Sequence, residues 1–148
     1  MEQFTISNPL HTTKGFKVIP NVNKNDGNGF GLSISKPTLL DNKVRFGIEA
    51  TFFVIKNKVQ VNVIAENIFE IHGSKDLLNT TMDLKNDATI SQITHLAKTT
   101  IDYAMAYYFM FSISTVQTTF PDSHKNNENP IISVQVIRPQ VAAILAAL

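Results

Sequence analysis

Residues Lys43–Ile71 read KVRFGIEATFFVIKNKVQVNVIAENIFEI, and they carry the clearest structural pattern in the chain. Large apolar side chains occur at every second position on both sides of Lys56–Lys58. Such alternation is typical of β-strands with one buried face. The stretch therefore predicts two antiparallel strands joined by a tight hairpin. The residues expected on the buried face are Val44, Phe46, Ile48, Ala50, Phe52 and Val54 in the first strand, and Val59, Val61, Val63 and Ala65 in the second.

The same alternation precedes this hairpin. Phe30, Leu32 and Ile34 alternate with small residues, and a turn at Leu39–Lys43 follows. Three strands joined by short turns form an antiparallel meander. Further upstream we expect a polar loop and two short edge strands. These segments are Asn21–Gly29 for the loop, and Phe4–Leu10 and Gly15–Pro20 for the strands.

Downstream of Gly73 the pattern changes to a helical one. A polar connector with a short turn of helix is expected first, and then a long helix that Asp87 caps. The residues at helical spacing are Ile90, Ile93, Ala97, Ile101, Ala104 and Tyr108. A loop at Phe120–Pro130 is expected next. Ile132, Val134 and Val136 alternate and predict a short extended segment, and Pro139 is expected at the start of a short C-terminal helix.

The predicted fold class is α+β. An antiparallel sheet of about four strands has the long helix packed on one face, with the short C-terminal helix after it. The segment Ile101–Ile113, IDYAMAYYFMFSI, is apolar on nearly every side of that helix. A helix presents only a limited stripe to one neighbouring layer. We therefore expect part of this segment to meet another subunit or to bind apolar segments of other proteins.

Composition restricts the function classes. The chain has 148 residues, so a single domain spanning residues 1–148 is expected. Hydrophobic residues make up 43% and charged residues 17%, with a net charge of +1, which does not favour nucleic acid as a partner. The absence of cysteine suits a reducing cytoplasm. The N-terminal residues do not resemble a secretory signal, and no apolar run suits membrane insertion. A soluble cytoplasmic protein is expected.

No motif indicates catalysis or a cofactor. The four histidines lack the spacing of a zinc site. Glu66 and Glu70 are interpreted as a solvated face rather than an acid/base pair. The glycines of Gly27–Gly31 lead into a strand, whereas a phosphate loop needs a helix there. We therefore expect a protein that is not an enzyme and that binds no metal or cofactor.

The order of these elements resembles the SecB family of export chaperones. Ile68–Gly73, IFEIHG, is similar to a stretch at the end of the family's third strand, and Ile131–Leu145 is similar to its C-terminal segment. In the latter, Pro139 and Leu145 match a proline and a leucine of the family. The resemblance covers about Gly29–Leu145.

This resemblance implies an ATP-independent chaperone (a holdase) that binds unfolded or precursor polypeptides in an apolar groove. It also implies a homotetramer built as a dimer of dimers. The near-neutral charge does not favour contact with the SecA motor, which relies on acidic residues in the family. Protein export, toxin–antitoxin control and a mobile element all remain open as contexts. The candidate groove residues are Phe30, Leu32, Phe69, Ile71, Tyr103, Tyr107, Tyr108 and Met110.

Two alternatives stay open at this point. The first is a small-molecule-binding or catalytic α+β domain with a pocket under the helix. The second is a structural oligomeric protein of a mobile element.

Overall fold

The computed structural model describes residues 5–6, 10–112, 116, 119 and 130–148, and these residues form two layers. One layer is a β-sheet, and two helices cover one of its faces. The strands are β1 (Thr5–Ile6), β2 (Leu10–Ile19), β3 (Gly27–Ile34), β4 (Thr38–Leu40), β5 (Lys43–Lys56) and β6 (Val59–His72). The helices are α1 (Lys75–Thr81), α2 (Asp87–Phe111) and α3 (Val134–Ala146).

The sheet is antiparallel and four strands wide. β5 and β6 form its centre. β1 and β2 follow one another along the outer side of β6, and β3 and β4 do the same along β5. This arrangement confirms the predicted α+β class, the meander and the long helix on one face.

The β5–β6 hairpin follows the sequence pattern closely. Its turn residues Asn57 and Lys58 have φ angles of 50° and 64°. Positive φ at both central residues matches the right-handed twist of the flanking strands in a two-residue hairpin. Every residue predicted on the buried face of both strands is buried, from Val44 to Ala65. The opposite face of the sheet, which we call the open face, carries no helix in the described part of the chain.

The long helix α2 packs over the centre of the sheet. Its cap is Asn86 rather than the predicted Asp87, because the Asn86 side chain accepts the Ala88 N–H at 2.9 Å. Beneath the helix, the fully buried Asn67 of β6 donates to Thr100 Oγ1 at 3.0 Å. The short predicted helical turn in the connector is α1, which Ser74 caps through the Leu77 N–H.

The structure corrects the prediction for the C-terminal segment. Val134 and Val136 lie in the first turn of α3 and not in an extended segment, so Pro139 lies inside that helix rather than at its start. The buried residues Ile137, Val141 and Leu145 are four apart, which is the spacing of one helix face. This face packs beside α2 over β3 and outweighs the local alternation of Ile132, Val134 and Val136.

Other predictions lie partly outside the described residues. The edge strand predicted at Phe4–Leu10 is described only at Thr5–Ile6 and Leu10, which are in strands. The loop predicted at Phe120–Pro130 is described only at Pro130. Among the described helices, none combines the length and the apolar character that crossing a lipid bilayer requires.

Candidate functional site

Three of the eight predicted groove residues belong to the interior. Phe69 and Ile71 on β6 are 1% and 0% exposed, and Tyr108 on α2 is 2% exposed. The Tyr108 ring packs edge-on against Phe52 with 5.6 Å between centroids. Burial raises the pKa of the Tyr108 hydroxyl well above its usual range. In the described fold these three side chains stabilise the contact between sheet and helix and offer almost no surface to a bound peptide.

The other five residues do not form a single groove. Phe30 and Leu32 are half-buried on β3, at one edge of the sheet. Tyr103 and Tyr107 are half-buried on the side of α2 that faces the opposite edge. Met110 is 62% exposed. The structure therefore separates Phe30 and Leu32 from the residues of α2.

A continuous row of aromatic rings runs along α2 and ends on β2. Tyr103 and Tyr107 pack edge-on with 4.9 Å between ring centroids, and Tyr107 is 5.6 Å from Phe111. Phe111 in turn lies 4.7 Å from Phe16 of β2. The Tyr103 hydroxyl donates to the Tyr107 hydroxyl at 3.3 Å. We call Tyr103, Tyr107, Phe111 and Phe16 the aromatic row.

The spacing of the aromatic residues along α2 explains why their rings form a row. Residues four apart on a helix are neighbours on its surface, so Tyr103, Tyr107 and Phe111 contact one another in sequence. Met110 follows Tyr107 by three positions and extends the same side of the helix into solvent. All four rings of the aromatic row are half-buried.

Strand β2 places the aromatic row beside an edge of the sheet. Phe16 is paired with Val63 of β6, which places its side chain on the same face as α2. Within the described residues, β6 is the only strand that pairs with β2. The outer backbone N–H and C=O groups of β2 are therefore available to another extended chain in the described fold.

Two features of β2 limit permanent pairing at this edge. The strand has a bulge between Thr13 and Gly15, and Lys14 and Lys17 are exposed. Bulges and edge lysines are common devices against stable sheet-to-sheet association. They favour reversible contact with a partner strand over a fixed one.

The sequence predicted the helical half of this surface and missed the other half. Tyr103, Tyr107 and Met110 follow from helical spacing in an apolar segment. Phe16 and Phe111 meet only because β2 pairs with β6, at the far side of the meander. No local pattern around Phe16 indicates that pairing.

The described residues contain no group of three or more His, Asp or Glu side chains placed to hold a metal ion. The chain has no cysteine to supply a thiolate. Glu66 lies opposite Glu49 of β5 in the sheet register, and Lys14 contacts both carboxylates, at 2.8 Å from Glu49 and 3.5 Å from Glu66.

No family model matches the chain, and no curated protein is significantly similar to it. A solved structure, the crystal structure of a protein of unknown function from Streptococcus agalactiae, is similar with a TM-score of 0.53. The match covers 86% of this chain and 98% of that one at 6% sequence identity. At this identity the similarity concerns the fold alone.

Proposed function

We propose that this protein is a SecB-like holdase of the cytoplasm, which binds non-native polypeptides without nucleotide hydrolysis. One observation carries the proposal: a half-buried aromatic row lies beside the edge of β2 that pairs with no other strand in the described part of the chain. Unfolded chains expose apolar side chains together with unpaired backbone groups. The two parts of this surface match those two features.

The apolar part of the surface supplies affinity. Each 100 Å² of apolar surface that a client covers contributes about 2.5 kcal/mol before the cost of ordering the chain. Met110 supports broad specificity, because its unbranched thioether adapts to side chains of different shape. Tyrosine rings serve equally well, since each combines a wide apolar face with a hydroxyl group.

The backbone part of the surface supplies tolerance to sequence. An extended client segment that pairs with β2 uses main-chain hydrogen bonds, which every residue except proline can donate. Its alternate side chains would lie over Phe16 and Val18, which share the helix-covered face. Binding only the unfolded form then delays client folding by mass action, without an energy source.

Self-association is part of the proposal. A dimer of dimers repeats the aromatic row around the assembly, so that one long client can engage several copies at once. Unfolded or precursor polypeptides are the proposed clients. Nucleic acid, membrane insertion and contact with SecA have no part in this proposal.

The test is suppression of aggregation of an unrelated, chemically denatured protein at near-stoichiometric ratio. Met110→Asp places a charge on the exposed end of the surface and should abolish most of the suppression. Val136→Asp is the matched control, because Val136 is 58% exposed on α3 and its replacement should preserve activity. Circular dichroism and urea unfolding establish that both variants remain folded.

Equal suppression by the wild type and Met110→Asp would contradict the assignment of this surface. No suppression by the wild type would contradict the function itself. In that case two alternative functions remain, a small-molecule-binding or catalytic domain and a structural protein of a mobile element. A purified oligomer that buries the aromatic row between subunits would favour the structural protein.

A further inference from the structure

The open face of the sheet carries a concavity of about 590 Å³ that the proposed function does not use. Its position follows from the sheet register. Gly47 of β5 lies opposite Ile68 of β6 and has no side chain, so a depression forms between its neighbours on the same face. Its lining includes Ser35, Thr38, Arg45, Glu49, Glu66 and Ile68.

The glycine in this concavity is held in place by Ser35. The Ser35 hydroxyl accepts the Gly47 N–H at 2.7 Å, and the Ser35 N–H donates to the Gly47 carbonyl at 2.9 Å. A side chain at position 47 would point into the concavity. A Cβ there would meet its nearest neighbour, Ser35 Oγ, at 3.5 Å, so a small side chain fits and takes up the middle of the concavity.

One end of the concavity is cationic. Arg45 and Lys36 line it, and in the described residues neither side chain has an ion pair within 4.0 Å. Arg45 lies opposite Glu70 in the register, but Glu70 is paired with Lys43 at 2.8 Å. The guanidinium of Arg45 can therefore bind a carboxylate in bidentate fashion. Thr38, which is opposite Arg45, adds a hydroxyl donor at this end.

The other end carries an excess of negative charge. Glu49 and Glu66 face each other across β5 and β6, an arrangement that is unfavourable for like charges. Lys14 is placed beside them by the bulge of β2 and contacts both carboxylates. Two carboxylates against one ammonium leave one negative charge, which a second ammonium group can balance.

We propose that this concavity binds a short zwitterionic peptide, with its free carboxylate at Arg45 and its free ammonium group at Glu49 and Glu66. Arg45 and Glu49 are four residues apart on one strand, so their Cα atoms are about 13 Å apart. The two side chains shorten the gap, and an extended tripeptide of about 10 Å bridges it. The apolar floor at Ile68 accommodates the peptide backbone and small side chains.

The experiment is a titration of the ¹⁵N-labelled full chain with triglycine, followed by amide chemical shifts. Triglycine should shift the signals of Gly47, Ser35 and Thr38 in a saturable manner. N-acetyl-triglycine and triglycine amide, which each lack one charge, should bind at least tenfold more weakly. Gly47→Val should weaken binding at least tenfold, because its side chain obstructs the middle of the concavity between Arg45 and Glu49.

The variant Arg45→Gln tests the orientation of the bound peptide, with its carboxylate at position 45. In this variant triglycine should bind no better than triglycine amide does, whereas N-acetyl-triglycine should remain weaker than triglycine. Lys85→Gln, an exposed cation outside the lining residues, is the control and should leave binding unchanged. Absence of saturable shifts, equal affinity for the three probes, or shifts located away from Gly47 would each overturn the proposal. None of these outcomes depends on the holdase activity.

Discussion

The buried pair Asn67 and Thr100 is the polar contact that fixes the position of α2 on the sheet. Both residues are 0% exposed, and the amide of Asn67 donates to Thr100 Oγ1. The Thr100 hydroxyl in turn donates to the Leu96 carbonyl at 3.1 Å. An apolar contact tolerates sliding of the helix, whereas a buried hydrogen bond is lost if the helix shifts. The pair therefore selects one register among several that the apolar surfaces allow.

A double-mutant cycle tests this role. Asn67→Ala and Thr100→Val should each lower the free energy of unfolding by about 1–3 kcal/mol, because each leaves a buried partner without this bond. The double variant should lose less than the sum, with a coupling energy of about 1 kcal/mol. Urea unfolding of the wild type, the two single variants and the double variant measures this coupling energy. Strict additivity would show that the hydrogen bond contributes nothing to stability.

The ion pair between Lys43 and Glu70 predicts a pH effect. The hydrogen bond from Lys43 lowers the pKa of the Glu70 carboxyl. A lowered carboxyl pKa stabilises the fold above the ordinary glutamate pKa, and this stabilisation disappears as the pH falls through the lowered value. Lys43→Met should therefore reduce the urea midpoint at pH 7 and leave it unchanged near pH 2. The control Lys85→Met should leave the urea midpoint unchanged at both pH values. If Lys43→Met lowered the midpoint equally at pH 7 and pH 2, the ion pair would be excluded as the cause.

At the scale of elements, α3 shows where local pattern and tertiary packing disagree. Pro139 lies six positions into the helix and is exposed, so its ring adds little packing. It also removes the hydrogen bond that a residue at this position would make to the Gln135 carbonyl. The helix forms nonetheless because Ile137, Val141 and Leu145 are buried. Arg138 anchors it further by donating to Ser91 and Asp87 of α2.

Replacement of the proline tests this explanation. Pro139→Ala should restore the missing hydrogen bond and raise the free energy of unfolding by about 1–3 kcal/mol. Gln140→Ala, at the neighbouring exposed position, is the control and should have a small effect. A loss of stability in Pro139→Ala would show that the ring makes a contact on which the fold depends.

The elements that were predicted correctly share a physical cause. In β5 and β6 the side chains alternate between the buried face and the open face of the sheet. Alternation in the sequence is therefore sufficient to identify both strands and the buried face. In α3 the apolar residues before Pro139 also alternate, and only the neighbouring α2 decides between strand and helix. Gly15 is compatible with the bulge that places Lys14 near Glu49 and Glu66, but the position of Lys14 depends on the pairing of β2 with β6.

The same distinction applies to the candidate site. Helical spacing was sufficient to place Tyr103, Tyr107 and Met110 on one side of α2, whereas the interior position of Phe69, Ile71 and Tyr108 required the packed structure. An apolar residue on a helix or strand carries no local sign of whether it faces the core or a partner. Their burial became visible only once the sheet and α2 were brought together.

At the scale of the whole molecule, the exposed apolar surface predicts self-association. Met110 is 62% exposed on the side of α2 that carries the half-buried rings of Tyr103 and Tyr107, and Phe109, on another side of the helix, is 37% exposed. Surfaces of this kind are commonly covered by a partner. We expect the mass of a tetramer in light scattering after size-exclusion chromatography, and a monomer at all accessible concentrations would contradict the dimer of dimers.

Site-specific photo-crosslinking shows whether the aromatic row contacts clients. A photoreactive phenylalanine analogue replaces Tyr107 in one protein and Val136 in another, and each is irradiated with a reduced and alkylated protein that stays unfolded. We expect strong crosslinks from position 107, weak ones from position 136, and loss of both when the same client is offered in its folded form. Crosslinks of equal yield from the two positions, or none from position 107, would contradict this contact.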